Sequence, residues 1–396
     1  MSYGLHTERY EDGREKITPA YNKEKNEFEI IDFESVLEKG GLPTGASFSV
    51  SDDGINFTPS NLLTHASRNP SAYIEDGKVT LYCGYGGEGV YESEDMYKPF
   101  KSVKKKFDFG KSVMKNSTEC PAMFCWNGYK YLIVGFTGYF RALTKNSDEL
   151  VDAAALGEYI YDGLSVPMVA EFKNNRRLIA GWVHSVLGWG GALMQRELVQ
   201  FEDGRLGMKW IPELIPQTNG KNLIKSSLLG GKINLSKEES YLFEADVDSL
   251  DCEKIAFSFD DGKTACSLEL DFIKKRVQIN DCEINKFAQA LPTPLEALAP
   301  LKDMEVHAMH SGITNIPQFA KNYALPDACG QNEHFKLRMT LRRSKKMRGT
   351  VLDVELAARK TLISVRDDFF PTSLSLICQG AAKIHNEKLF NISFEE

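Results

Sequence analysis

Two tripeptides in this chain carry the residue types of proton-transfer chemistry. Arg68-Asn69-Pro70 and Glu119-Cys120-Pro121 lie 51 positions apart, with Glu119 at the place of Arg68 and Cys120 at the place of Asn69. A carboxyl group beside a guanidinium in a water-poor site has its pKa set by the opposing charge and by desolvation. Such a group serves as a proton donor and acceptor, or it remains a structural ion pair. For Glu119 the structural alternative is pairing with Arg68 or Lys130. The spacing predicts that folding brings Arg68, Asn69 and Glu119 to one site.

The elements that must do this positioning repeat along the chain. After Arg68-Asn69-Pro70 come Ser71-Ala72-Tyr73-Ile74, an Asp76-Gly77 turn and the run Lys78 to Tyr85. After Glu119-Cys120-Pro121 come Ala122-Met123-Phe124-Cys125, an Asn127-Gly128 turn and the run Tyr129 to Phe136. Asp-Gly and Asn-Gly between β-rich runs signal tight hairpins, because both central residues need positive φ. An earlier copy starts at Pro19, with Phe28-Glu29-Ile30-Ile31 as its second run, and a looser copy starts at Pro167 and leaves through Leu178 to Trp182. Repeats of this length, each a proline-led strand, a turn and a strand, are the pattern of β-propeller blades. A β-sandwich with coincidental periodicity is the alternative. In a propeller the innermost strand of each blade lines a central funnel, which is where the two tripeptides would meet.

Beyond the linker Pro216-Gln217-Thr218-Asn219-Gly220 the pattern changes. Residues 240–290 and 333–380 alternate with period two, as in Cys266 to Phe272 and Val351 to Leu356. That predicts a second all-β unit, a sandwich. The expected division is 1–215 for the propeller and 216–396 for the sandwich, with 288–331 as a less regular excursion.

Composition narrows the function classes. With 48 basic against 55 acidic residues the formal charge is −7, so no broad cationic face is available for nucleic-acid phosphates. Arg342 to Arg348 reads as a solvated strand or loop. No apolar run is long enough to span a membrane, and the first residues carry no secretory apolar stretch, so a cytoplasmic location is expected. The eight cysteines include no C-x-x-C pair and read as mostly buried free thiols. His307 and His310 are the one close histidine pair, and neither a metal nor a cofactor is expected. Gly84 to Gly89 fits a phosphate-loop spacing, yet the strand-like Val90-Tyr91-Glu92 follows where that geometry needs a helix. The sequons at Asn56, Asn116, Asn234 and Asn391 read as chance.

Taken together, Glu119-Cys120-Pro121 resembles the Glu-Cys-Pro box of glycoside hydrolase family 32, the invertases, inulinases and levanases. Arg68-Asn69-Pro70 sits where that family has Arg-Asp-Pro. Gly181-Trp182, Gly188-Trp189-Gly190-Gly191 and Gln195-Arg196-Glu197-Leu198 are similar to its last-blade signature, and Ser51-Asp52-Asp53-Gly54 to the turn before its Arg-Asp-Pro box. The resemblance covers about residues 15 to 380. It implies a five-bladed propeller followed by a β-sandwich, with Glu119 as general acid/base acting on β-fructosides. It also implies sugar contacts from Arg68, Asn69 and Asp162, the last with an ordinary turn as alternative. Trp182 and Trp189 are candidates for stacking on a sugar ring, with core packing as the alternative for Trp182.

Two departures bear on activity. The family's nucleophilic aspartate lies in a first-blade Asn-Asp-Pro box, and no Asp-Pro pair precedes Arg68; the copies number four, so the first blade is expected to be absent and the propeller incomplete. Retaining hydrolysis needs two carboxyl groups about 5–5.5 Å apart. Asp12 and Asp32 are candidate substitutes for the missing partner. The second departure is Asn69, whose amide hydrogen-bonds a hydroxyl but brings no charge to a cationic transition state. Three expectations therefore stand together. One is a β-fructosidase. Another is a catalytically degenerate carbohydrate-binding protein. In the third, a partner chain or a symmetric homodimer covers the strand edges that an incomplete propeller exposes.

Overall fold

The computed structural model describes residues 70–83, 89–95, 97–103, 107–108, 120–134, 138–158, 160, 164–185, 188–218, 220–281, 322–344 and 349–393. Before these it describes 16–17, 21–22, 27–28, 31–32, 42–43, 49–59 and 62–63. The fold is all-β, and no α-helix occurs among the described residues. Two compact units are present, the first Met1–Gly135 with Tyr139–Asp152, the second Phe136–Gly138 with Ala153–Glu396.

The first unit opens with two-residue strands: β1 (Lys16–Ile17), β2 (Tyr21–Asn22), β3 (Glu27–Phe28), β4 (Ile31–Asp32), β5 (Leu42–Pro43), β6 (Ser49–Val50), β7 (Thr58–Pro59) and β8 (Leu62–Leu63). Two antiparallel meanders follow. One comprises β9 (Ser71–Glu75), β10 (Lys78–Cys83), β11 (Gly89–Ser93) and β12 (Lys101–Val103). After β13 (Phe107–Asp108), the other comprises β14 (Ala122–Trp126), β15 (Tyr129–Val134), β16 (Gly138–Ala142) and β17 (Leu150–Asp152). The repeat is real register for register: Leu81 faces Ala72 in one sheet and Leu132 faces Met123 in the other. Both hairpin turns carry two positive φ values, 50° and 80° at Asp76-Gly77, 49° and 85° at Asn127-Gly128. The Pro19 copy behaves differently. Its hairpin, β2–β3, adds to the outer edge of the first meander through Lys101 opposite Glu27.

Alternation explains how the meanders pack. Tyr82 and Val90 join Met123, Leu132, Val134 and Phe140 in one cluster, while Val79, Leu81, Cys83, Tyr91 and Phe100 form another. Successive residues of β10 thus point to opposite faces, and both faces are covered, as in a blade with neighbours.

The second unit begins with a third meander: β18 (Ser165–Phe172), β19 (Arg176–Ser185), β20 (Gly188–Gln200) and β21 (Leu206–Lys209). Its first hairpin again turns on positive φ, at Asn174 and Asn175. A register shift between Ser165 and Met168 displaces the proline of this copy, which is why it fits the repeat loosely.

The sandwich follows. It is built from β22 (Lys232–Asn234), β23 (Ser240–Asp248), β24 (Lys254–Asp260), β25 (Ala265–Asp271), β26 (Arg276–Asp281), β27 (Asn322–Ala324), β28 (His334–Ser344), β29 (Gly349–Leu356), β30 (Lys360–Asp367), β31 (Ser373–Gln379) and β32 (Lys383–Ile392). The two sheets run β22-β31-β24-β25-β26-β27 and β30-β29-β28-β23-β32. Phe257, Leu268, Leu270 and Val277 face Phe243, Val247, Leu337 and Val354 across one core. Each fully buried side chain of this size contributes about 1.5–3 kcal/mol. Period-two alternation breaks in β29, where every residue is buried. Its Leu352, Val354 and Leu356 enter the sandwich core, whereas Val351 joins Ile363, Leu164 and Val183 in a cluster shared with the third meander.

The segment just after the linker covers an edge strand of the sandwich. Leu223 N–H donates to the Leu389 carbonyl, and the Asn222 amide bonds both the Leu389 N–H and the Glu387 carbonyl. Edge strands left open template aggregation, and here chain beside β32 takes up those groups.

Candidate functional site

The two boxes end in prolines that lead directly into β9 and β14. Those strands touch near their starts: the N–H of Met123, the second residue of β14, donates to the Oγ of buried Ser71, the first residue of β9, at 3.3 Å. Pro121 follows a strained residue, since Cys120 has φ 52°. Val166, the equivalent residue before Pro167, has φ 49°. A residue before proline favours extended backbone, and positive φ at a β-branched residue is rare. Strain of this kind persists only where surrounding structure enforces it. The two described copies share it at the same repeat position, the one that Asn69 holds in its own copy. Arg68, Asn69, Glu119 and Asp162 themselves lie outside the described residues, as do Asp12 and the pair His307 and His310. Asp32 is described only as part of β4.

Lys130, named above as an alternative partner for Glu119, bonds two other carboxylates. Its ammonium donates to Glu75 at 2.6 Å and Asp148 at 2.7 Å, and lies 5.9 Å from the centre of the Tyr73 ring. Burial disfavours the charge on Lys130, but the hydrogen bonds to Asp148 and Glu75 outweigh it and raise its pKa. Burial, with nearby acidic groups, also pushes the Tyr73 phenol up. This cluster ties β9 to β15 at their hairpin-turn ends, the ends away from Pro70 and Pro121.

The turn resembling the family's pre-box turn is held by one carboxylate. Asp53 accepts from the Ile55 and Asn56 backbone N–H groups at 2.8 and 2.7 Å, from the Asn56 amide at 2.6 Å and from Ser51 Oγ at 3.0 Å. Those bonds, led by the Asn56 backbone, hold its pKa far below the usual range. Its function as seen is to fix a turn between β6 and β7.

In the third meander Trp182 is half-buried in β19, opposite Leu193 of β20. Val183, its neighbour, faces the sandwich, so Trp182 belongs to the other face of the sheet. Trp189 lies in β20, and its side chain is outside the described residues. Gln195-Arg196-Glu197-Leu198 makes a structural junction. Arg196, 2% exposed, donates to Asp353 at 2.9 Å, and the Trp210 indole donates to the same carboxylate oxygen at 3.0 Å. Trp210 N–H donates to Glu355 at 2.6 Å, and Glu355 also pairs with Arg338. Glu197 binds Arg176 at 2.6 Å and Lys209 at 3.1 Å. Asp353 and Glu355 escaped the sequence reading, although acidic residues alternating with Leu352, Val354 and Leu356 are the signal of a strand with a polar network on its second face.

Arg343 departs from the solvated character expected of the Arg342 to Arg348 run. Its guanidinium reaches Thr350 Oγ1 at 2.8 Å and the Pro371 carbonyl at 2.6 Å, and burial lowers its pKa to about 10. A cavity of about 370 Å³ opens where β20, β28 and β29 converge, with Gln195, Trp210 and Arg342 in its wall. A larger one, about 610 Å³, lies at the β10–β12 end of the first meander and is lined by Lys78, Glu92 and Lys98. No cluster of metal-ligating side chains occurs among the described residues. Nor is any helix among them long and apolar enough to cross a membrane.

No protein-family model matches the sequence, and no curated protein does. Solved structures do. The exo-inulinase from Aspergillus awamori is similar over 88% of this chain and 74% of its own, at 13% identity and a TM-score of 0.56. The Bombyx mori GH32 beta-fructofuranosidase BmSUC1 is similar over 88% of this chain and 72% of its own, at 12% identity and a TM-score of 0.55. A mutant of the same enzyme in complex with sucrose covers the same shares at 11% identity and 0.52. At such identities the likeness is one of fold, and the chain has the propeller-and-sandwich fold of these glycoside hydrolases.

Proposed function

We propose that this chain is a family-32-like protein directed at β-fructosides of the sucrose, inulin or levan type, with Glu119 as the proton-transferring group. Under this reading residues 1–215 form the propeller and 216–396 the sandwich. The observation that carries it is the hydrogen bond between Met123 and Ser71. The strands that leave the Arg-Asn-Pro and Glu-Cys-Pro boxes touch near their starts, as inner strands of adjacent blades must if their leading residues share a funnel. Fold likeness to an inulinase and a β-fructofuranosidase supports the substrate class. Arg68 and Asn69 would then hold sugar hydroxyls, Asp162 would add a contact, and Trp182 and Trp189 would offer flat apolar faces to the ring.

Asn69 favours a second reading within the same site, binding without turnover, because an amide cannot offset positive charge at the anomeric carbon. A second carboxylate beside Glu119, from this chain or a partner, is what turnover by the retaining route would need. Calorimetry with sucrose and short inulin, run beside a fructose-release assay, separates these cases. Release abolished by Glu119→Gln while binding persists establishes the enzyme. Binding without release, lost in Arg68→Ala, establishes the second reading. No binding and no release overturns the proposal.

A further inference from the structure

Cys252 and Cys378 are 126 residues apart in sequence and adjacent in the sandwich, with their Sγ atoms 3.0 Å apart. Cys252 is buried just before β24, and Cys378 is half-buried near the end of β31. Backbone pairing holds them in place: Glu253 N–H donates to the Gln379 carbonyl at 2.8 Å, and Ile255 stands opposite Cys378 in the ladder. The next residue but one, Gly380, lets the chains come this close. Its φ is +90°, and a Cβ there would lie 3.0 Å from the Asp251 carbonyl oxygen and 3.1 Å from Cys252 Cα. The thiols are oriented by carbonyls, with Cys252 Sγ 3.2 Å from those of Lys254 and Gln379 and Cys378 Sγ 3.3 Å from that of Gly380.

We propose that Cys252 and Cys378 form a redox pair that closes reversibly to a disulfide, tying the entry of β24 to the end of β31. A sulfur–sulfur bond is about 2.05 Å long, so closure asks each sulfur to move by about half an ångström. The oxidant is a small-molecule disulfide such as glutathione disulfide. Cys378, the more accessible partner, attacks as its thiolate; the glutathione S–S bond breaks, one glutathione thiol leaves, and a mixed disulfide forms on Cys378. Cys252 then gives up its proton and attacks Cys378 Sγ, releasing the second glutathione thiol. Two cysteine thiols are oxidised, one disulfide is reduced, and the two cysteine protons end on the two glutathione thiols. Burial, followed by the contact with Cys378, pushes the Cys252 thiol up to about 12, which makes this second step slow at neutral pH and faster as pH rises.

The test uses the full chain incubated with glutathione disulfide, alkylated and digested without reduction. Mass spectrometry is expected to find the Cys252–Cys378 cross-linked peptide. The melting temperature should rise by roughly 5–10 °C, because a long loop of the unfolded chain is closed. Dithiothreitol should reverse both. Cys378→Ser should abolish the cross-link and the gain while its reduced form melts near the wild type. Cys378 recovered only as a glutathione adduct overturns the proposal. So does recovery of both cysteines alkylated, or a cross-link that forms only in urea.

Discussion

Asp353 serves two buried donors at once, the guanidinium of Arg196 and the indole of Trp210, both on the same oxygen. A carboxylate placed this way is hard to remove, because its loss takes the opposing charge from a cation that is 2% exposed. Asp353→Ala is expected to cost about 3–5 kcal/mol in urea unfolding. Replacing both charges by apolar groups, in Arg196→Met with Asp353→Leu, should recover most of that loss. The unpaired indole would keep about 1–3 kcal/mol of it. A double variant no more stable than the single one would show that packing, not charge, dominates the junction. Gly207 makes the same seam sterically demanding. A Cβ there would lie 2.5 Å from the Arg359 carbonyl oxygen, which already accepts the Met208 N–H at 3.0 Å. Gly207→Ala should therefore destabilise by about 1–3 kcal/mol. Gly220→Ala, with nothing near its Cβ, should be close to neutral in the same denaturation.

At the scale of elements, three sandwich strands are joined by one polar cluster. Asp248 at the end of β23 receives His334 Nδ1 of β28 at 2.6 Å and His385 Nε2 of β32 at 2.7 Å. The hydrogen bond to Asp248 raises the His334 pKa, and the bond from His334 is the first cause of the lowered Asp248 pKa. The histidine contribution is complete below its ordinary 6.5 and fades as pH rises through the raised folded value. The aspartate contribution is complete above 3.8 and fades as pH falls through the lowered folded value. Thermal melts of the wild type and His334→Gln should thus differ most between pH 3.8 and 6.5 and converge in alkali. A constant gap across pH would mean that the imidazole acts by packing alone. This cluster was invisible in the sequence because its members are brought together only by strand register. The hairpins were legible for the opposite reason. Asp76-Gly77 and Asn127-Gly128 specify positive φ locally, and the turn needs nothing from the rest of the chain. The bulge at Val166 and the docking of Asn222 on β32 depend on tertiary partners, so spacing alone missed them. For the candidate site, spacing gave the boxes at Arg68 and Glu119, and the structure adds the contact between the strands they lead into.

For the molecule as a whole, the third meander behaves energetically as part of the sandwich. Leu164 and Val183 share a cluster with Val351 and Ile363, and Trp210 packs with Leu242 and Ile392. A sheet buries its apolar face against another layer, and for this meander that layer includes β29 and β30. Its opening should therefore be coupled to that of β29 and β30, the strands that cover it. Ile363 is 1% exposed, and Ile363→Ala leaves a cavity against Val183 that should cost about 2–4 kcal/mol. In native-state hydrogen exchange, amides of β19 and β20 should lose protection by the same factor as those of β29, because one cooperative unit opens. Amides of β10 and β15, whose clusters Tyr82–Leu132 and Leu81–Phe100 lie wholly in the first unit, should keep theirs. Unchanged exchange in β19 would mean that the blade is stable without the sandwich. In that case the Arg196–Asp353 bridge would join two bodies that each fold independently.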